Sequence, residues 1–156
     1  MCYTNYFNQY PLSRIELIII SSIVLIFSWT THQRNFIWKD ELTLWSDVVK
    51  KSPFKARTYE HLGLAYHRVG DIDNAILQYK KSLSLNPFQA DVHNNIGISY
   101  YEKGLVDKAI NHFKHAIEIN PSHADAHYDL GVAYGDKGLI DLANEEIRKG
   151  IRLRER

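Results

Sequence analysis

The chain has 156 residues and a formal charge of +1, from 19 Lys+Arg against 18 Asp+Glu, so the basic excess of a typical nucleic-acid binder is missing. A single cysteine, Cys2, excludes a disulfide framework and a cysteine-based zinc site. With 45% hydrophobic residues the composition is that of a folded protein.

After a flank over residues 1–11, the stretch Ile15–Trp29 reads IELIIISSIVLIFSW, with one charge (Glu16), three serines and no polar face at helical spacing. A helix of that length reaches about 22 Å, and extension over residues 12–31 gives the length needed for a ~30 Å hydrocarbon core. Tyr6, Tyr10 and Trp29 suit interfacial belts. The reading taken is a transmembrane helix over 12–31 and a single-pass membrane location; a buried or interfacial helix is the alternative. FSWTTHQ lacks a small-x-small site, which argues against a cleaved signal. Arg14 precedes the run and Arg34, Lys39, Lys50 and Lys51 follow it, so local charge counting places the remainder in the cytoplasm.

Residues 32–55 are a linker and a helix. DELTLWSDVVKKSP, Asp40 to Pro53, has its proline 34 residues before Pro87. It sits where the second helix of a preceding unit belongs, and is expected to cap the array that follows.

From Ala56 onward the text repeats every 34 residues, over 56–89, 90–123 and 124–156. Position seven is Leu62, Ile96 and Leu130; position eight is Gly63, Gly97 and Gly131; position eleven is Tyr66, Tyr100 and Tyr134. Position fifteen is Gly70, Gly104 and Gly138; position twenty is Ala75, Ala109 and Ala143; position twenty-four is Tyr79, Phe113 and Ile147; position twenty-seven is Ser82, Ala116 and Gly150. Small residues mark close helix crossings, and the aromatic residues fill the space they leave. Glycine at position fifteen suits a left-handed cap, and Asp71, Asp107 and Asp141 follow it where a carboxylate favours a helix N-terminus. Pro87 and Pro121 end the second helices of their units. Helix pairs are predicted over 56–69 and 72–85, 90–103 and 106–119, and 124–137 and 140–153.

These columns resemble the tetratricopeptide repeat family. The resemblance implies an all-α right-handed superhelix of antiparallel helix pairs, with the first helix of each pair lining a concave groove. Departures lie at position four, often Trp, which here holds Tyr59, His93 and His127, and at Ile147, where an aromatic residue is usual. A second resemblance concerns Thr31 to Gly63, THQRNFIWKDELTLWSDVVKKSPFKARTYEHLG. It is similar to the junction between the last span and the C-terminal repeats of bacterial O-mannosyltransferase-like membrane proteins. That likeness implies repeats on the exoplasmic side and a non-catalytic tail of a membrane glycosyltransferase whose catalytic part is absent.

No phosphate-binding glycine loop, nucleophile elbow or C-x-x-C is present, and no catalytic residue or cofactor is expected. Among the eight histidines, His112 and His115, and His123 and His127, share helix faces, but each pair lacks an evident third ligand. They are read as packing or surface residues, with no metal. The basic C-terminal run IRKGIRLRER is read as a stabilised helix end, or as a patch for an acidic partner.

Mapping the family's groove positions two, five, six, nine, twelve and thirteen gives the candidate peptide-binding residues. Repeat one supplies Arg57, Glu60, His61 and Leu64, repeat two Asp91, Asn94, Asn95, Ile98 and Tyr101, and repeat three Asp125, Tyr128 and Asp129. Glu102 and Asp136 complete an acidic groove, anchored by Tyr101 and Tyr128 and suited to a segment carrying Lys or Arg around an apolar residue. The Lys/Asn/Arg clamp of chaperone-tail-binding members is absent: Glu60, Leu64, Asp91 and Asp125 stand at its positions. Asn95 resembles one rung of the asparagine ladder in the O-linked sugar transferase repeats. The expected function is a non-catalytic, membrane-anchored scaffold for a protein or peptide partner.

Overall fold

The computed structural model describes residues 19–24 and 41–155. The chain divides into two units, with the boundary between Glu41 and Leu42. In the first, residues 19–24 are helical (α1), and Ile19, Ile20, Ile23 and Val24 are exposed. Among the described residues no helix is long and apolar enough to cross a membrane. That finding overturns the expected single-pass membrane location and both assignments of side that depended on it. The rest of the proposed 12–31 span lies outside the described residues.

The second unit is a linear series of helices: α2 (Glu41–Lys51), α3 (Ala56–Arg68), α4 (Ile72–Leu85), α5 (Ala90–Glu102), α6 (Val106–Ile119), α7 (Ala124–Asp136) and α8 (Ile140–Arg154). The six repeat helices start at the predicted residues and end within one residue of the predicted ends. Helices α3/α4, α5/α6 and α7/α8 form the tight pairs, and α4/α5 and α6/α7 join one pair to the next.

Each pair is locked by one glycine and one large side chain. A Cβ at Gly63 would lie 2.5 Å from the ring of Tyr79, and one at Gly97 would strike Phe113. Both rings are buried, so neither has anywhere to go. In the third pair the smaller Ile147 lets the backbones approach, and a Cβ at Gly131 would also lie 2.9 Å from Ala143 O. At the other end of each pair the small column does the same work. Ser82 Oγ donates to Ala56 O (2.9 Å), and a Cβ at Gly150 would sit 2.8 Å from Ala124 O.

The turns within pairs are Schellman caps. Gly70, Gly104 and Gly138 take φ of 81°, 72° and 74°. The next residue's N–H then donates back to the position-eleven tyrosine carbonyl: Asp71 to Tyr66 (3.0 Å), Leu105 to Tyr100 (2.9 Å) and Leu139 to Tyr134 (3.0 Å). Only Asp71 among the three expected aspartates is an N-cap, accepting from Asn74 N (3.2 Å). Asp107 and Asp141 sit inside the first turn, in the column of Asp73. That column is bridged from the following repeat by Lys103 to Asp73 and by Lys137 to Asp107.

One core cluster gathers Ala75, Tyr79, Val92 and Ile96; the next gathers Ala109, Ile110, Phe113, Leu130 and Ala133, and half-buried Tyr100 packs against both. Helix α2 has no fully buried residue and lays Trp45 on His61 with ring centroids 4.3 Å apart.

Candidate functional site: the groove of the repeat helices

Helices α3, α5 and α7 carry the candidate groove residues, and Asp91, Glu102, Asp125, Asp129 and Asp136 each have a partner from within the chain. Asp91 Oδ1 faces His123 Nε2 (3.1 Å), while His123 Nδ1 accepts from Ala126 N (3.2 Å) as the cap of α7. The ring thus carries its proton on Nε2 and donates it to Asp91. Tyr101 donates its hydroxyl to Asp136 in the next repeat. His67 and Glu102 approach to 3.1 Å in the same two columns one repeat earlier. Asp125 is held by Arg154, whose guanidinium also lies over Tyr128, 5.2 Å from the ring centroid.

Asp129 and Asn94 form the buried part. Asn94 Nδ2 donates to Asp129 Oδ2 (3.1 Å), and burial raises the Asp129 carboxyl above its usual range, opposed by that hydrogen bond. Asn94 is 4% exposed, and its Oδ1 has no hydrogen-bond partner among the described residues. Beside this pair a pocket of about 300 Å3 opens, lined by Ile98, Phe113 and Val132 with Tyr101, Glu102 and Asp129.

The remaining sequence-derived residues lie apart from this pocket's lining. Arg57 is exposed. Glu60 is half-buried, with its carboxyl raised chiefly by burial. His61 lies under Trp45, and Leu64 packs against the core cluster around Tyr79. Asn95 is half-buried and its carbonyl accepts from Ser99 Oγ (2.8 Å). The asparagine with an unmatched buried polar atom is therefore Asn94, one residue before the one singled out in the sequence. Sequence reasoning passed over Arg154 and Phe113 as site residues. Phe113 was assigned wholly to packing. Arg154 had only one signal, its 29-residue separation from Asp125, as expected for facing ends of an antiparallel pair.

The histidines resolve into pairs. His127 Nδ1 lies 2.5 Å from Glu146 Oε2, and His127 Nε2 lies 3.0 Å from Pro121 O. Burial works to raise the Glu146 carboxyl; hydrogen bonds from His127 and Lys149 outweigh it and hold it below its usual value. His93 and His112 meet through their Nδ1 atoms at 3.2 Å, with His115 against His93. No group of three His, Cys, Asp or Glu among the described residues is arranged to hold a metal ion.

Residues 63–104 and 97–138 match the family described as TPR repeat, and residues 124–156 match the tetratricopeptide repeat. No curated protein matches the chain, and the O-mannosyltransferase-like junction over residues 31–63 finds no support. Among solved structures, the crystal structure of MamA is similar over 81% of this chain and 74% of that chain, with 28% identity and a TM-score of 0.71. YrrB, described as a TPR protein with an unusual peptide-binding site, covers 81% of this chain and 65% of its own, at 21% identity and a TM-score of 0.67. The first TPR of Spaghetti (RPAP3), bound to the HSP90 peptide SRMEEVD, covers 64% and 79%, at 22% identity and a TM-score of 0.62. The last two likenesses show the fold alone. With three repeats in register and both family descriptions agreeing, residues 63–156 of this chain belong to the tetratricopeptide repeat family.

Proposed function

We propose that the chain is a non-catalytic protein-interaction module that holds an extended peptide segment in the groove of α5 and α7. The observation that carries this reading is the pocket of Ile98, Phe113 and Val132, rimmed by Tyr101, Glu102 and Asp129. An apolar side chain of the segment fills such a floor, and the polar rim meets its backbone and neighbouring side chains. Peptide binding described for YrrB and for the RPAP3 repeat is consistent with this use of the fold. An acidic tail of the SRMEEVD kind is a poor fit, because Glu60, Asp91 and Asp125 stand where the clamp cations are expected. A segment with basic residues flanking an apolar one matches the rim.

The test is calorimetric titration of the full chain with an acetylated Leu-Arg-Leu-Arg-Leu peptide. Tyr101→Ala, which strips the pocket rim without opening the core, is expected to weaken binding about tenfold or more. Equal affinity of parent and variant, with unchanged melting, sinks the groove reading.

A further inference from the structure

Asp125 and Tyr128 lie one helical turn apart on α7 and together clasp a guanidinium. Both Nε (3.1 Å) and Nη2 (2.5 Å) of Arg154 lie against Asp125 Oδ1, and the same group lies over the Tyr128 face. Asp129 stands on the same helix, one residue beyond Tyr128. A carboxylate with an aromatic face matches arginine better than lysine, because the planar cation both forks onto oxygens and stacks.

The occupant comes from an unusual place. Arg154 stands in the repeat column of Asn86 and Asn120. Those asparagines turn back on their own loops, accepting from Phe88 N (3.2 Å) and Ser122 N (3.0 Å). Arg154 does not serve its own turn; it crosses to the groove helix. The corresponding aspartate of repeat two, Asp91, is met instead by His123, a side chain only 10% exposed and fixed as a helix cap. The Arg154–Asp125 pair is open on both sides, with the two side chains 52% and 61% exposed. An ion pair that exposed is weak and exchangeable.

We propose that Asp125 and Tyr128 form an arginine-selective subsite of the groove, which the chain's own Arg154 fills until an arginine of the ligand displaces it. This rests on the groove reading above and specifies its ligand: the segment carries an arginine that reaches α7. Arg154 acts as an internal competitor, so its removal frees the subsite.

The test titrates the full chain and Arg154→Ala, isotopically labelled, with the Leu-Arg-Leu-Arg-Leu peptide and with its citrulline twin, by NMR. Citrulline keeps the shape of arginine and lacks the charge. Arg154→Ala is expected to bind the arginine peptide about fivefold tighter than the parent, with shifts at Asp125 and Tyr128, and the citrulline peptide no better. Adding Asp125→Asn to Arg154→Ala should abolish the gain. Equal or weaker binding of the arginine peptide by Arg154→Ala, or an equal gain for citrulline, overturns the subsite and leaves the groove reading standing. If neither protein binds either peptide, both fall.

Discussion

Positions four and twenty-three hold Tyr59 and Gln78 in repeat one, His93 and His112 in repeat two, and His127 and Glu146 in repeat three, and the side chains meet in the last two. The middle pair is sensitive to acid. Burial is the main cause that lowers His112 to about 4, aided by the charges of His93, His115 and Lys80. Burial also leads in lowering His93, opposed by a backbone hydrogen bond with Pro87 and by the Glu118 charge. Lys108, like Lys80, sits over the Tyr100 ring that His112 packs against, and Glu118 pairs with His115. Unfolded histidine titrates near pH 6.5. Below that the unfolded chain binds protons that the folded pair refuses, so stability falls as pH drops from about 6.5 towards 4. His112→Gln, which installs the repeat-one residue, should reduce the loss between pH 7.5 and pH 5 by about 1–2 kcal/mol. Urea unfolding at the two pH values measures it; an unchanged difference means the pair is not the acid-sensitive element. Gly97 is the second residue with a sharp expectation. Gly97→Ala drives a methyl into the buried ring of Phe113 and should cost about 2–3 kcal/mol in urea unfolding. The double variant with Phe113→Leu should recover part of that loss.

At the scale of helices, the 34-residue period placed α3 to α8 because each column has one steric job. Gly63 and Gly97 pack against large rings, and Gly70, Gly104 and Gly138 adopt a φ that other residues resist. Such constraints are local and show directly in the text. Helix α2 was legible for the same reason, through Pro53 and Trp45, though Trp45 on His61 was not, since stacking depends on where two helices meet. The groove was half legible. The groove positions carried over from the family include Ile98, Tyr101 and Asp129, which line one pocket in the structure. The partners that quiet its carboxylates come from 29 to 35 residues away, and no helical wheel shows Arg154 reaching Asp125 or Asn94 reaching Asp129. The expected span over 12–31 was read from hydropathy alone. Hydropathy describes what a segment would prefer, and among the described residues no helix is long and apolar enough to cross a membrane.

Across the repeat array, each repeat touches its neighbours, so the same residue column has different surroundings at different points along the chain. Helices α5 and α7 cover the outward columns of α4 and α6, leaving Ile76 and Ile110 at 7% and 6% exposure. In α8 the same column holds Asn144, which is exposed, and neighbouring Ile140 and Ile151 are 59% and 44% exposed. The column thus holds an apolar residue under a following helix and a polar one on α8, which no described helix follows. Swapping the two environments tests whether burial by the next helix, and not the intrinsic character of the column, sets the energetics. Ile110→Asn places an amide among Phe113, Leu130 and Ala133 and should cost about 3 kcal/mol or more, from lost apolar burial and an unmatched polar group. Asn144→Ile, at the uncovered column, should move stability by less than about 0.5 kcal/mol. Ile117, half-buried against the core, and Ile151 make a second such comparison, with lysine costly at the first and near neutral at the second. Chemical denaturation of the four variants measures all of these differences. Similar costs at both ends of each comparison would mean that burial by a neighbouring helix does not set the energetics of these columns.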